Sequence, residues 1–275
     1  TSRSLAAARP LALRLAAGGN STTDPVDTPE IDTVSEAIAD NIERPTKESL
    51  LVDFEDALEV AQATIGPGKP AMWTLADDDT TIYIFGTVHL LRPDLEWRSA
   101  AFDGALAAAN KVVFEVDIYS EAGMRSYVQD FVGRGMFEDG RTLTVTLNES
   151  DEEIVANAFD SIGVPIDAMN TFEPWMAYIQ LGSMKLVNDG YDPESGVESV
   201  IREEAIADGK AFAYLEDSTA VADALDLLPE HEQIAALYQS ALLLDETPAM
   251  LDLLVQEWAE GDVRGIAVLA ADPDG

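Results

Sequence analysis

The sequence has 275 residues, with 52 Asp and Glu against 16 Lys and Arg, giving a formal net charge of −36. That excess repels nucleic-acid phosphates and anionic headgroups, which sets aside ordinary DNA, RNA and lipid-surface binding. Hydrophobic residues make up 47% of the chain, enough to bury a core, so the acid marks a hydrated surface rather than disorder.

Residues 1–22 hold Arg3, Arg9 and Arg14 and no acid, so the remaining 253 residues carry −39. This Arg-bearing, Ala/Leu-rich leader is expected to be a trimmed or atypical export signal; a plain extension or a transit-type helix are the alternatives. Export would place the protein in a periplasm or tethered to a membrane by its N-terminus. Residues 23–48 read as linker and lead-in, and 49–275 as one domain. No run of 18 uninterrupted apolar residues occurs, so no transmembrane helix is expected.

Within the domain, Leu51, Phe54, Leu58 and Ala61 have helical spacing over 49–65, and Pro67-Gly68 ends that helix. Residues 71–76 and 81–89 predict a hairpin around an Asp-rich turn. A helix is expected over 98–110 and a strand over 111–117. Helices follow over 121–132, 149–160, about 173–187 and 196–207, then a strand over 210–216. Residues 229–245 and 248–262 predict two more helices, each with Pro in its first turn. The end of the chain reads as open, with no closing element and the C-terminal part of the domain incomplete. The fold class is α/β in the mixed α+β sense: a central, partly parallel sheet begun by a hairpin and covered by many helices.

Chemistry must be sought in few residues. Cysteine is absent, which removes disulfides, thiolate metal sites and a cysteine nucleophile. Histidine occurs only as His89 and His231. His89 closes the block Gly86-Thr87-Val88-His89 after an Ile/Tyr/Phe-rich strand, where it fits a metal ligand, a general base or a structural hydrogen-bonded residue. Gly86 at the strand end allows close approach or an unusual turn. On the next strand, Glu115 and Asp117 share one face and Val112, Phe114 and Val116 the other. Glu115 lies in an apolar run, where a metal or basic partner would offset its burial; emergence into solvent is the alternative. Residues 81–117 predict a β-α-β unit, whose crossover would bring His89 and Glu115 to one sheet edge. His231, between two Glu at a helix start, reads as an exposed helix-end residue, and Asp77-Asp78-Asp79 as a hydrated turn rather than a Ca²⁺ loop.

The block from Trp73 through Gly86-Thr87-Val88-His89 to Trp97, followed by Phe114-Glu115-Val116-Asp117, resembles the TraB/GumN (PrgY-like) family. Pro174-Trp175, Gly196-Val197-Glu198, Leu215-Glu216-Asp217, Gln233 and Trp258-x-x-Gly261-Asp262 are similar to its later landmarks in the same order, over about residues 70–262. The resemblance implies a metal-dependent hydrolase related to the Tiki proteases, and more distantly to erythromycin esterases and ChaN-like proteins. A divalent ion (Mn, Co or Zn) and a peptide or small acyl substrate are implied with it. It makes His89 and Glu115 metal ligands and catalytic residues. Glu198, standing where the family has Asp, becomes a further ligand, with Gly86, Asp117 and Glu216 in support. The family's second Gly-x-x-His is not found in this sequence, so half of the metal site is expected here and little hydrolysis by this chain alone. A non-catalytic peptide- or ligand-binding protein on the same fold is the alternative, and an acidic structural or storage protein has only composition behind it.

Overall fold

A computed structural model describes residues 44–270, so the leader and most of the linker lie outside the described residues. The first helix, α1 (Lys47–Gln62), starts at Thr46, whose side chain accepts from the Ser49 amide and satisfies one of the unpaired N–H groups of the first turn. Its buried stripe is Leu50, Ala57 and Ala61.

The hairpin forms as predicted. Strands β1 (Met72–Ala76) and β2 (Thr81–Phe85) pair antiparallel, with Trp73 opposite Ile84 and Leu75 opposite Ile82. Asp77 organises the turn, accepting from the amides of Thr80 at 2.8 Å and Asp79 at 3.2 Å, in keeping with a turn rather than a cation loop. Helix α2 (Ala100–Ala108) leads to β3 (Lys111–Phe114), whose partner is β4 (Ala211–Tyr214), paired in parallel. The mixed α+β class therefore holds, with the strands divided between two two-stranded sheets. The predicted β-α-β unit is corrected: β2 pairs with β1 and not with β3. Both long strand predictions end early, at Phe85 and Phe114, because the residues after them turn away to build the site.

Helices supply the rest. Helix α3 (Glu121–Ser126) runs into a π-helical turn at Tyr127–Val132, then come α4 (Leu143–Thr146), α5 (Glu149–Ser161), α6 (Pro174–Asn188) and α7 (Val197–Ala207). After β4 follow α8 (Ser218–Asp226), α9 (Glu230–Leu242), α10 (Thr247–Glu260) and α11 (Val263–Ala270). Helix α11 follows residue 262, where no element was expected. Asp262 starts it, its carboxylate accepting from the amides of Arg264 and Gly265. No described helix is long and apolar enough to cross a membrane.

The core falls into three clusters. The largest joins α5, α6, α8 and α9 around the fully buried Phe159, Trp175, Leu181 and Leu237. Trp175 and Met176 are thus core residues. The Pro-Trp and Gln landmarks have a structural reason. Pro174 opens α6 without an N–H to satisfy, and the next N–H, on Trp175, donates to the buried side chain of Gln233. Gln233 in turn donates to the Leu228 carbonyl at 2.9 Å. The second cluster gathers Leu91, Trp97, Phe102, Phe114, Val197, Ile201 and Trp258 between the two sheets and α7. The third seals α1 against α11 through Ala57, Ala61 and Leu269.

Candidate functional site

Each candidate polar residue follows a residue of the second cluster: His89 follows Val88, Glu115 follows Phe114, and Glu198 follows Val197. The apolar neighbour anchors the backbone, and the polar side chain is presented at the cluster's rim.

His89 and Glu198 meet because their backbones are stitched together. The Val197 amide donates to the Val88 carbonyl at 3.0 Å, and the Asp192 amide to the Leu91 carbonyl at 2.9 Å. Gly196 stands at the closest point, where a Cβ would lie 2.1 Å from the His89 carbonyl oxygen. Only glycine fits there, which is the physical content of its place before Val197-Glu198. Glu198 lies in the first turn of α7, where the helix dipole favours a negative charge.

The Glu198 carboxylate is the centre of the site. Its Oε1 accepts from His89 Nδ1 at 2.8 Å and from the Thr87 hydroxyl. Its Oε2 is buried and has no hydrogen-bond partner among the described residues. The Glu198 side chain is 12% exposed and that of His89 75% exposed, so the imidazole stands at an open mouth above a covered carboxylate. The bond that His89 donates to Glu198 raises the pKa of His89 above the ordinary value; desolvation opposes this, and the charges of Glu198 and Glu115 add to it. Burial pushes the Glu198 carboxyl up, but the bond and charge of His89 and the Thr87 hydroxyl outweigh it and hold it below the usual range.

Glu115 reaches this pair by its charge rather than by contact. Its side chain is exposed, because the strand ends at Phe114. Its carbonyl accepts from the Glu216 amide at 2.8 Å, which sets Glu216, also exposed, beside it at the end of the parallel pair. Asp117 does not share a strand face with Glu115. It accepts from the amides of Tyr119 and Ser120 and from the Ser120 hydroxyl, so its oxygens serve the loop after β3. Burial raises its pKa, and these bonds together hold it below the usual range. Gly86 is open on its Cα side, with nothing within 4 Å of an added Cβ, and its carbonyl accepts from the Trp258 indole at 2.9 Å. Neither close packing nor positive φ demands glycine there. His231 lies in the first turn of α9, a helix of the other cluster.

Two features were not picked out from sequence. Thr87 completes the coordination of Glu198 from inside the Gly-Thr-Val-His block. A cleft of about 470 Å³ also opens between residues 92–98 and the start of α7, floored by Leu95, Trp97 and Val200.

The donor chemistry suits part of a divalent site. An imidazole and an unpartnered, covered carboxylate oxygen are ligands of the borderline kind that Zn, Mn and Co accept. Among the described residues, no three His, Asp or Glu side chains converge closely enough to hold an ion by themselves. His89 and Glu198 form a pair, and Glu115 stands farther off.

Comparison with known proteins gives one match: the model of the TraB/PrgY/gumN family covers residues 71–274. No curated protein and no solved structure matches the chain.

Proposed function

The chain belongs to the TraB/PrgY/gumN family, and from that premise we propose that His89, Glu198 and Glu115 form the working part of a metal-dependent hydrolase acting on a peptide or small acyl carbonyl. The observation that carries this reading is the buried, unpartnered Oε2 of Glu198, whose other oxygen orients His89. Leaving a covered carboxylate oxygen unsatisfied costs about 1–3 kcal/mol, which the positive charge of an ion held by the imidazole would offset in part.

A carboxylate partner requires Nδ1 of His89 to carry the hydrogen, so Nε2 keeps its lone pair on the exposed side. His89 Nε2 would hold the ion, with Glu115 as a carboxylate from across the rim, while Glu198 orients the imidazole through Nδ1. A divalent ion so held supplies an acidified water and polarises an acyl carbonyl. Glu115, solvated and within electrostatic reach of His89, is placed to accept the proton that the attacking water gives up. Thr87 fixes the Glu198 rotamer, and the open space at Gly86 leaves room for a substrate backbone. The Arg-bearing leader supports export to a periplasmic or membrane-tethered setting. Occupation of the same site without turnover is the second reading.

Calorimetric titration with Mn²⁺, Co²⁺ and Zn²⁺ tests the centre. His89→Ala is expected to abolish tight binding, and Glu198→Gln to weaken it by about 10–100-fold. The ion must displace a proton from an imidazole whose pKa is raised, so affinity should climb as pH rises through that raised value. Binding that is indifferent to His89→Ala would remove the site. Binding without hydrolysis of any peptide in a metal-supplemented assay would favour the second reading.

A further inference from the structure

We infer that Arg202, held over Tyr119 on α7, is an anchor for a substrate carboxylate one helical turn from the His89–Glu198 pair. The inference rests on the hydrolase reading and adds a substrate class to it.

Arginine in this chain is surrounded by acid, and Arg44, Arg92, Arg98, Arg125, Arg134 and Arg141 each ion-pair with a carboxylate. Arg202 makes no such pair among the described residues. Its guanidinium lies 4.8 Å from the centre of the Tyr119 ring, a cation–π contact that fixes the side chain but uses none of its five N–H donors in the ring plane. The residue is half-buried, so those donors are partly desolvated as well as uncommitted.

Tyr119 links this cation to the site. Its phenol feels the charges of both Glu198 and Arg202. Tyr214, at the end of β4, feels the charges of the same guanidinium and of Asp117. Asp117, by accepting from the Tyr119 and Ser120 amides, holds the loop that carries Tyr119.

Position then selects the ligand. Residues 198 and 202 share a helix face and are separated by about 6 Å along the axis. An extended peptide covers about 3.3 Å per residue, so a carboxylate on Arg202 places a carbonyl roughly two residues upstream at His89. The surrounding carboxylates repel anions, and a planar fork of donors is the group that recovers a carboxylate there with direction. The chemistry fits either the terminal carboxylate of a short peptide or an acidic side chain near its end.

Three dansylated peptides separate these sources: Ala-Ala-Ala as the free acid, the same peptide C-terminally amidated, and amidated Ala-Ala-Glu. Binding is read by fluorescence at high ionic strength, where long-range repulsion is screened. Tighter binding of the free acid than of its amide, by about tenfold, supports a terminal carboxylate; tighter binding of amidated Ala-Ala-Glu than of amidated Ala-Ala-Ala supports a side chain. Arg202→Gln should erase the preference, and Arg202→Lys, which keeps the charge without the fork, should retain part of it. Equal binding of all three peptides, no binding of any, or a preference that survives Arg202→Gln overturns the assignment. His89→Ala should leave the preference intact, so failure of the metal centre and failure of the anchor give different results.

Discussion

Gly196→Val is expected to cost about 3 kcal/mol of stability, the upper end for forced overpacking, and to dismantle the site. A Cβ at this position would lie 2.1 Å from the His89 oxygen, 2.7 Å from the His89 carbonyl carbon and 3.0 Å from the Pro193 oxygen. All three are main-chain atoms, so no rotamer change relieves the clash. Segment 88–91 must lift from α7, the Val197-to-Val88 hydrogen bond is lost, and Glu198 leaves His89. Denaturant unfolding should show the lower midpoint. A proton NMR titration should show the His89 pKa falling from its raised position toward the ordinary value. Gly86→Ala is the control, since a methyl there meets nothing within 4 Å and should be close to neutral. An unchanged midpoint and an unchanged His89 titration in Gly196→Val would mean that the two segments are not joined in this way.

Trp175→Ala is expected to be the most costly single change, about 3–5 kcal/mol. The side chain is fully buried and meets Phe131 edge-to-face at 5.3 Å. Its main-chain N–H depends on Gln233, one of few polar side chains in the core. Trp175→Phe should lose less than Trp175→Ala: it leaves a smaller void and removes an indole N–H that is buried without a partner. Gln233→Leu should cost about 1–3 kcal/mol by stranding the start of α6. Urea midpoints at constant slope give the ranking. A Trp175→Ala loss below about 1 kcal/mol would contradict a close-packed junction of α6 and α9.

These expectations divide along what local sequence can carry. Helices were legible because a 3.6-residue apolar period is written within the segment, as in Leu51, Phe54, Leu58 and Ala61 of α1, of which Ala61 is buried and Phe54 and Leu58 pack beside it. The hairpin was legible because its turn chemistry sits between two β-prone runs. The β3–β4 pairing was not, since Lys111 meets Ala211, 100 residues onward, and nothing local names that partner. Adjacency in sequence instead suggested β2. Helix α11 was missed because it is short and has Gly265 inside it; there a Cβ would meet the Glu257 carboxylate at 2.5 Å, so packing on α10 rather than propensity selects glycine.

For the site, the Gly-Thr-Val-His block located His89, and the order of family landmarks located Glu198. Their contact is a tertiary fact, set by Gly196 and the Val88–Val197 bond. Glu115 and Asp117 show why alternation alone misleads at a strand end. Period two holds only while the backbone stays extended, and β3 stops at Phe114. Arg202 gave no signal of its own; its interest comes from what does not pair with it.

The seal between α1 and α11 has a consequence for the order in which the protein is made. Among the described elements, α1 is the first to leave the ribosome and α11 the last. The face of α1 that carries Ala57 and Ala61 finds its cover, Leu269, only after more than 200 further residues have been added. Gly68 and Lys69 wait about 190 residues for the Glu260 carbonyl that receives their amides. Closing so distant a contact is slow, and until then the growing chain carries an uncovered apolar face on α1, a natural hold point for chaperones.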